Sequence, residues 1–102
     1  MQAIGSSLMS PRAAIITGGA GGGIGHGISE ALVSADWAVL LVDRADEAAT
    51  SLREKLRAAG GHAESLVGDI THAGFPERAV TACLKSFGRL DGLVNSAGVG
   101  LC

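Results

Sequence analysis

The stretch that most constrains this chain is Ile15-Ile16-Thr17-Gly18-Gly19-Ala20-Gly21-Gly22-Gly23-Ile24-Gly25. A short apolar run, the pattern of a buried strand, breaks directly into a segment where glycine fills seven of the ten positions from Gly18 to Gly27. Ile24, Ile28, Ala31, Leu32 and Ala35 then recur at helical spacing. Strand, glycine turn and helix in immediate succession are the parts of a phosphate-binding site. Glycines let the backbone approach an anion without Cβ clashes, and the free N–H groups and dipole of a helix N-terminus supply the attraction. A flexible linker would not be flanked so tightly by a strand and an amphipathic helix.

Two common glycine loops can be tested against these letters. The P-loop needs Lys and then Ser or Thr after its last glycine. Gly18 and Gly23 have the right separation, but Ile24 and Gly25 follow. The dinucleotide fingerprint G-x-G-x-x-G also fails literally, because no three glycines here have that spacing.

The rest of the chain narrows the choice by exclusion. Its 102 residues make one domain at most, with 47% hydrophobic and 18% charged residues, enough apolar material for a core. Eight basic against ten acidic residues leave no basic field, and Trp37, Phe75 and Phe87 are the only aromatic side chains. Nucleic acid is therefore not an expected partner. The strongly apolar run Trp37 to Val42 is too short to span a membrane, and Met1 to Ser10 lacks the features of a signal peptide. Cys83 falls on the apolar face of an expected helix, Cys102 is the last residue, and His26, His62 and His72 are scattered, so no metal site is expected. A reducing cytoplasm fits this cysteine usage.

In chain order, residues 1–11 read as a loose tail and residues 12–102 as one partial nucleotide-binding domain. Strand one is expected at Arg12–Thr17, helix one at Ile24–Ala35, and strand two at Trp37–Val42, ending at Asp43. That second run is continuously apolar, as for a parallel strand covered on both faces. Helix two is expected at Asp46–Ala59, burying Ala48, Leu52, Leu56 and Ala59 and stopping at Gly60-Gly61. Strand three runs from His62 to Val67 and closes at Gly68-Asp69. Pro76 suits the first turn of helix three, which is expected to bury Val80, Cys83, Leu84 and Phe87 before Gly88. Strand four is Leu90 to Asn95. Alternation of strand and helix with right-handed crossovers predicts an α/β, Rossmann-like parallel sheet in order 3-2-1-4. Helices one and two lie on one face and helix three on the other, with the chain truncated after strand four.

In such a sheet, ligands bind beyond the carboxyl ends of the strands, where the strand order reverses. Those ends carry the glycine turn, Asp43, Asp69-Ile70 and Asn95-Ser96-Ala97-Gly98. Strand-terminal Asp and Asn often only cap turns, but here four strand ends deliver small or polar residues to one crevice. Asp43 lies 25 residues beyond Gly18, close to the spacing of the carboxylate that binds an adenosine ribose. A carboxylate there repels a 2′-phosphate and favours NAD over NADP, while Arg44 next door is a residue able to accommodate that phosphate.

Together these motifs resemble the short-chain dehydrogenase/reductase family. Thr17-Gly18 and Gly23-Ile24-Gly25 match the ends of its Thr-Gly-x-x-x-Gly-Ile-Gly turn, with Gly19 to Gly22 one residue more than the usual three between them. Leu41-Val42-Asp43-Arg44, Gly68-Asp69-Ile70-Thr71 and Phe87 through Gly98 extend the likeness over nearly the whole chain from Arg12. Ser96 stands where the family usually has a second asparagine. The resemblance implies that Thr17, Gly18, Gly22, Gly23, Ile24 and Gly25 cradle the cofactor's phosphates and that Asp43 and Arg44 meet the ribose. It implies that Asp69 and Ile70 meet the adenine, and that Asn95, Ala97 and Gly98 line the adenosine-ribose side. It also implies hydride transfer between nicotinamide and a carbonyl or alcohol, by a tyrosine, a lysine four residues later and a serine. This chain has no tyrosine, and Lys55 and Lys85 are its only lysines. The expectation is the cofactor-binding part of an NAD(P)-dependent oxidoreductase, inactive alone, paired with its missing part or a full-length relative. The alternatives are a non-catalytic NAD-binding or dimer-partner module and a product that never folds stably.

Overall fold

A computed structural model describes residues 10–18, 24–69 and 71–96. Seven elements alternate: β1 (Ala13–Thr17), α1 (Ile24–Ser34), β2 (Ala38–Asp43), α2 (Asp46–Ala58), β3 (Ala63–Val67), α3 (Phe75–Phe87) and β4 (Gly92–Asn95). The strands form one parallel sheet in the order β3-β2-β1-β4, as expected. The tail over residues 1–11 lies outside the described residues except at its last two positions.

Side chains alternate between the faces of each strand, and that period assigns the helices. Ala13, Ile15, Ala38, Leu40 and Val42 pack with Phe75, Ala79 and Cys83 of α3. Ile16, Val39, Leu41 and Ala63 pack on the other face with Ala49, Leu52 and Leu56 of α2, joined by Leu32 and Val33 of α1. Every residue of β1 and the first five of β2 are buried, the continuous burial expected of central parallel strands.

Several boundaries and faces differ from the sequence reading. Trp37 and His62 precede their strands instead of opening them. Ala59 caps the end of α2 and is exposed, while Ala49 takes the buried place beside a half-buried Ala48. In α3 the buried stripe is Phe75, Ala79 and Cys83, spaced by four. Val80 and Leu84 are exposed instead of buried. Each lies one residue, about 100° of helix rotation, beyond the stripe that meets the sheet. The helix sits over β1, β2 and β3. Leu93, aligned with Ile15 on that same face, is consequently 66% exposed.

Packing demands glycine at two places outside the segment that follows β1. A Cβ at Gly68 would collide with the Phe75 ring, and one at Gly61 would collide with Val33. At the amino ends of the strands, Asp91 fixes β4 to β1. Its Oδ2 accepts from Ala13 N at 2.8 Å and from Arg89 Nε at 2.7 Å, and its Oδ1 accepts from Arg89 Nη2 at 2.8 Å. The Arg89 hydrogen bonds, and then the Ala13 N–H, hold the Asp91 carboxyl down to about 2.

Candidate cofactor-binding site

Parallel register aligns the carboxyl ends of all four strands. Thr17 is level with Val42 and with Asn95, and Asp43 is level with Val67. The chain therefore leaves the sheet at four adjacent points, and the residues there are the polar and glycine residues singled out in the sequence.

The central point is the β1 exit. Gly18 adopts φ 66, a left-handed conformation that glycine takes without strain, while its N–H donates to Val42 O at 2.7 Å. The first residues of α1 lie back against the end of the strand. A Cβ on buried Gly25 would collide with the Gly18 carbonyl and stand 2.7 Å from Ser96 Oγ. Ser29 Oγ donates to Gly25 O at 2.8 Å, tying down the first turn of the helix from inside. Ile24, the first helical residue, is exposed. In this notch between strand and helix the backbones of Gly18 and Gly25 meet directly.

β4 closes the notch on one side. Thr17 Oγ1 donates to Asn95 Oδ1 at 2.8 Å, so both side chains are positioned by each other. Ser96 donates to Thr17 O through both its backbone N–H, at 3.2 Å, and its hydroxyl. Ser96 therefore bridges β4, β1 and the start of α1. The sequence places Ser96 among the strand-end residues of the crevice and as a departure from the family's asparagine, but does not single it out as a site residue. Its place directly after strand four, opposite the glycine turn, was the available signal.

On the other side stand the ends of β2 and β3. Asp43 Oδ1 accepts from Ala45 N at 3.0 Å, and Asp43 O accepts from Gly68 N at 3.0 Å. Asp69 Oδ1 accepts from Thr71 N at 2.9 Å and from Thr71 Oγ1 at 2.6 Å. Its Oδ2 faces Arg44 Nη1 at 3.6 Å and His72 Nε2 at 4.0 Å. The Thr71 hydroxyl, then its N–H, and less strongly His72 and Arg44, hold the Asp69 carboxyl below the usual range. The Asp69 side chain is accordingly an anion at neutral pH.

Thr17, Gly18, Ile24, Gly25, Asp43, Arg44, Asp69 and Asn95 are thus gathered at one end of the sheet. Gly22, Gly23, Ile70, Ala97 and Gly98, and with them the extra residue of the glycine turn, lie outside the described residues. Lys55 and Lys85 sit near the C-terminal ends of α2 and α3, and Lys55 pairs with Glu30 at 3.3 Å. Among the described residues no group of three or more His, Cys, Asp and Glu could hold a metal ion. None of the described helices is long and apolar enough to cross a membrane.

A parallel α/β sheet with helices on both faces and a glycine turn after its first strand defines a Rossmann-like protein. The family model for short chain dehydrogenases matches residues 12–101. This chain belongs to that family of oxidoreductases. It is 38% identical over 86 residues to a short-chain reductase of Streptomyces niveus, covering 84% of this chain and 32% of that protein. It is 30% identical to a 3beta-hydroxysteroid dehydrogenase of Eggerthella lenta, covering 90% of this chain and 35% of the relative. Among solved structures, a short chain dehydrogenase from Mycobacterium smegmatis superposes with a TM-score of 0.79 at 28% identity, over 87% of this chain and 37% of that one. One from Burkholderia phymatum, in complex with NAD, gives 0.77 at 28% identity, over 82% and 30%. The chain spans about a third of the length of the curated relatives it matches.

Proposed function

We propose that residues 12–102 are the dinucleotide-binding portion of an oxidoreductase that moves a hydride between nicotinamide and a carbonyl or alcohol, and that NAD is preferred to NADP. One observation carries this reading. The glycine notch, the Asp43 carboxylate and the Asp69 carboxylate stand side by side at the carboxyl ends of adjacent strands. The notch suits a pyrophosphate, because glycine at 25 lets the start of α1 pack directly on the Gly18 backbone, which sets the helix N-terminus at the end of β1. Bound dinucleotide supplies the hydride acceptor or donor. The chain's own part is to hold it. The glycine turn and the start of α1 take the pyrophosphate, Asp43 accepts from the ribose hydroxyls, and Asp69 with Ile70 takes the adenine amino edge. Asn95, Ala97 and Gly98 wall the adenosine-ribose side, with Asn95 oriented by Thr17.

The chain alone is proposed to be inactive. General acid/base catalysis by a phenol cannot come from a sequence without tyrosine, and losing such a group removes roughly 10²–10⁴ in rate. The second reading, a non-catalytic binding or dimer-partner module, rests on that same missing tyrosine. Under either reading we propose that the side of β4 on which no strand lies among the described residues pairs with the missing part or with a full-length relative. The setting we assign is the reducing cytoplasm, in keeping with Cys83, a buried free thiol.

Calorimetric titration with NAD and NADP tests the assignment. NAD is expected to bind more tightly, and tighter NADP binding overturns the preference. Asp43→Ala is expected to cost about tenfold in NAD affinity, the size of a charge-assisted hydrogen bond. Gly25→Val, with folding checked by circular dichroism, is expected to abolish binding of both.

A further inference from the structure

We infer that Asp69 holds Arg44 away from the 2′ position of the adenosine ribose, so that this ion pair between two strand ends helps to set cofactor choice. The inference rests on the dinucleotide site proposed above. Arg44 follows the ribose-binding Asp43 directly, where a free guanidinium would attract a 2′-phosphate. Its Nη1 instead lies 3.6 Å from Asp69 Oδ2.

Asp69 is well placed for that role. Register aligns Asp43 with Val67, and the Gly68 N–H donates to Asp43 O at 3.0 Å, so the exits of β2 and β3 are tied together. Thr71 occupies Oδ1 with two hydrogen bonds, at 2.9 and 2.6 Å, which fixes the carboxylate and turns Oδ2 toward Arg44. On the Arg44 side, the bond from Ala45 N to Asp43 Oδ1 fixes the turn from which the arginine projects. His72 Nε2, 4.0 Å from Oδ2, is the other side-chain nitrogen facing the same oxygen. The Arg44 side chain is 78% exposed and that of Asp69 24%. A pair so open to water biases a choice; it does not dictate one.

The test is a double-mutant cycle read as the ratio of NADP to NAD affinity. Asp69→Asn weakens both cofactors if Asp69 also meets adenine, but the ratio cancels that common loss. With Arg44 released, the ratio is expected to move about three- to fivefold toward NADP, the range of an exposed ion pair. Removing the Asp69 charge aids a phosphate by itself, so the diagnostic part is what disappears when Arg44→Ala is added. Arg44→Ala alone is expected to leave the ratio within about twofold, because a held arginine gives the phosphate little. The Asp69→Asn effect should shrink as salt is raised from low ionic strength. Asp69→Ser, which keeps a turn-forming side chain, replaces Asp69→Asn should that variant fail to fold. An unchanged ratio in the Asp69 variant, or an equal shift with and without Arg44, overturns the inference while leaving the dinucleotide site standing. A large fall in NADP affinity from Arg44→Ala alone overturns it too, since Arg44 would then already reach the phosphate. No binding of NAD by the unaltered chain overturns the site and the inference together.

Discussion

The two edges of the sheet are built on opposite plans. At the β3 edge, Arg57 Nε donates to Ala63 O at 2.8 Å and Arg57 Nη2 meets Glu64 Oε2 at 2.6 Å. Arg53 reaches Ser65 Oγ from the same helix. Charged side chains therefore cover the strand's open hydrogen-bonding side, a common defence against edge-to-edge pairing. At the other end of the order, β4 is Gly92-Leu93-Val94-Asn95, without a charge, and no strand lies beyond it among the described residues. Leu93 stands exposed on the face that α3 leaves open, with exposed Val80 and Leu84 on α3. One edge is guarded by charged side chains and the other is an uncharged apolar strand. The two edges thus differ in how open they are to pairing.

The largest expected effect breaks this contrast at β4. The unaltered chain is expected to associate at micromolar concentration, and Leu93→Lys to shift it toward a monomer in size-exclusion chromatography. A monodisperse unaltered monomer with strongly protected β4 amides in hydrogen exchange would show that β4 needs no cover.

A smaller effect is expected from the tether of β4. The folded Asp91 carboxyl, at about 2, lies below its ordinary 3.8. It therefore contributes stability that is present above that ordinary value and is lost as pH falls through 2. Asp91→Asn is expected to lower stability at neutral pH and to flatten its fall between pH 4 and 2, followed by denaturant unfolding at each pH. An unchanged acid limb in the variant would exclude Asp91 as the tether.

The smallest effect belongs to the guarded edge. Arg57→Ala is expected to cost within about 1 kcal/mol in urea unfolding, because the Glu64 carboxylate it pairs with is solvent-exposed. It should nevertheless speed exchange at β3 more than at β1 or β2. Equal exchange throughout would mean that Arg57 decorates the edge without shielding it.

Much of the fold was legible because its signals are local. The short apolar runs at Ile15-Ile16 and Val39 to Val42 read as covered strands because they are brief, rich in β-branched and aliphatic residues, and stopped by glycine or an acid. The site was legible for the same reason, since strand ends follow from where apolar runs break off. The face of α3 was legible only in part: Cys83 is buried as expected and Phe87 packs against the core. Val80 and Leu84 are as apolar as any core residue, and only the seat of the helix over β1 to β3 selects Phe75 and Ala79 in their stead. Phe75 escaped notice because its place depends on Gly68, a contact between segments that no helical period contains. The bonds of Ser96 to Thr17 and the Arg44–Asp69 pair were hidden likewise, being products of register between strands distant in sequence.

Trp37 gives these edges an optical consequence. It is the only tryptophan, in a chain without tyrosine, so ultraviolet emission comes from one address. The half-buried ring lies under Gly92 of β4, where even an added Cβ would stand 3.5 Å from it, and the Arg12 guanidinium sits 6.0 Å from its centroid. Detachment of β4 would wet the indole and move its emission to longer wavelength. An event confined to the glycine notch, at the far end of the strands, would leave the colour of the light unchanged.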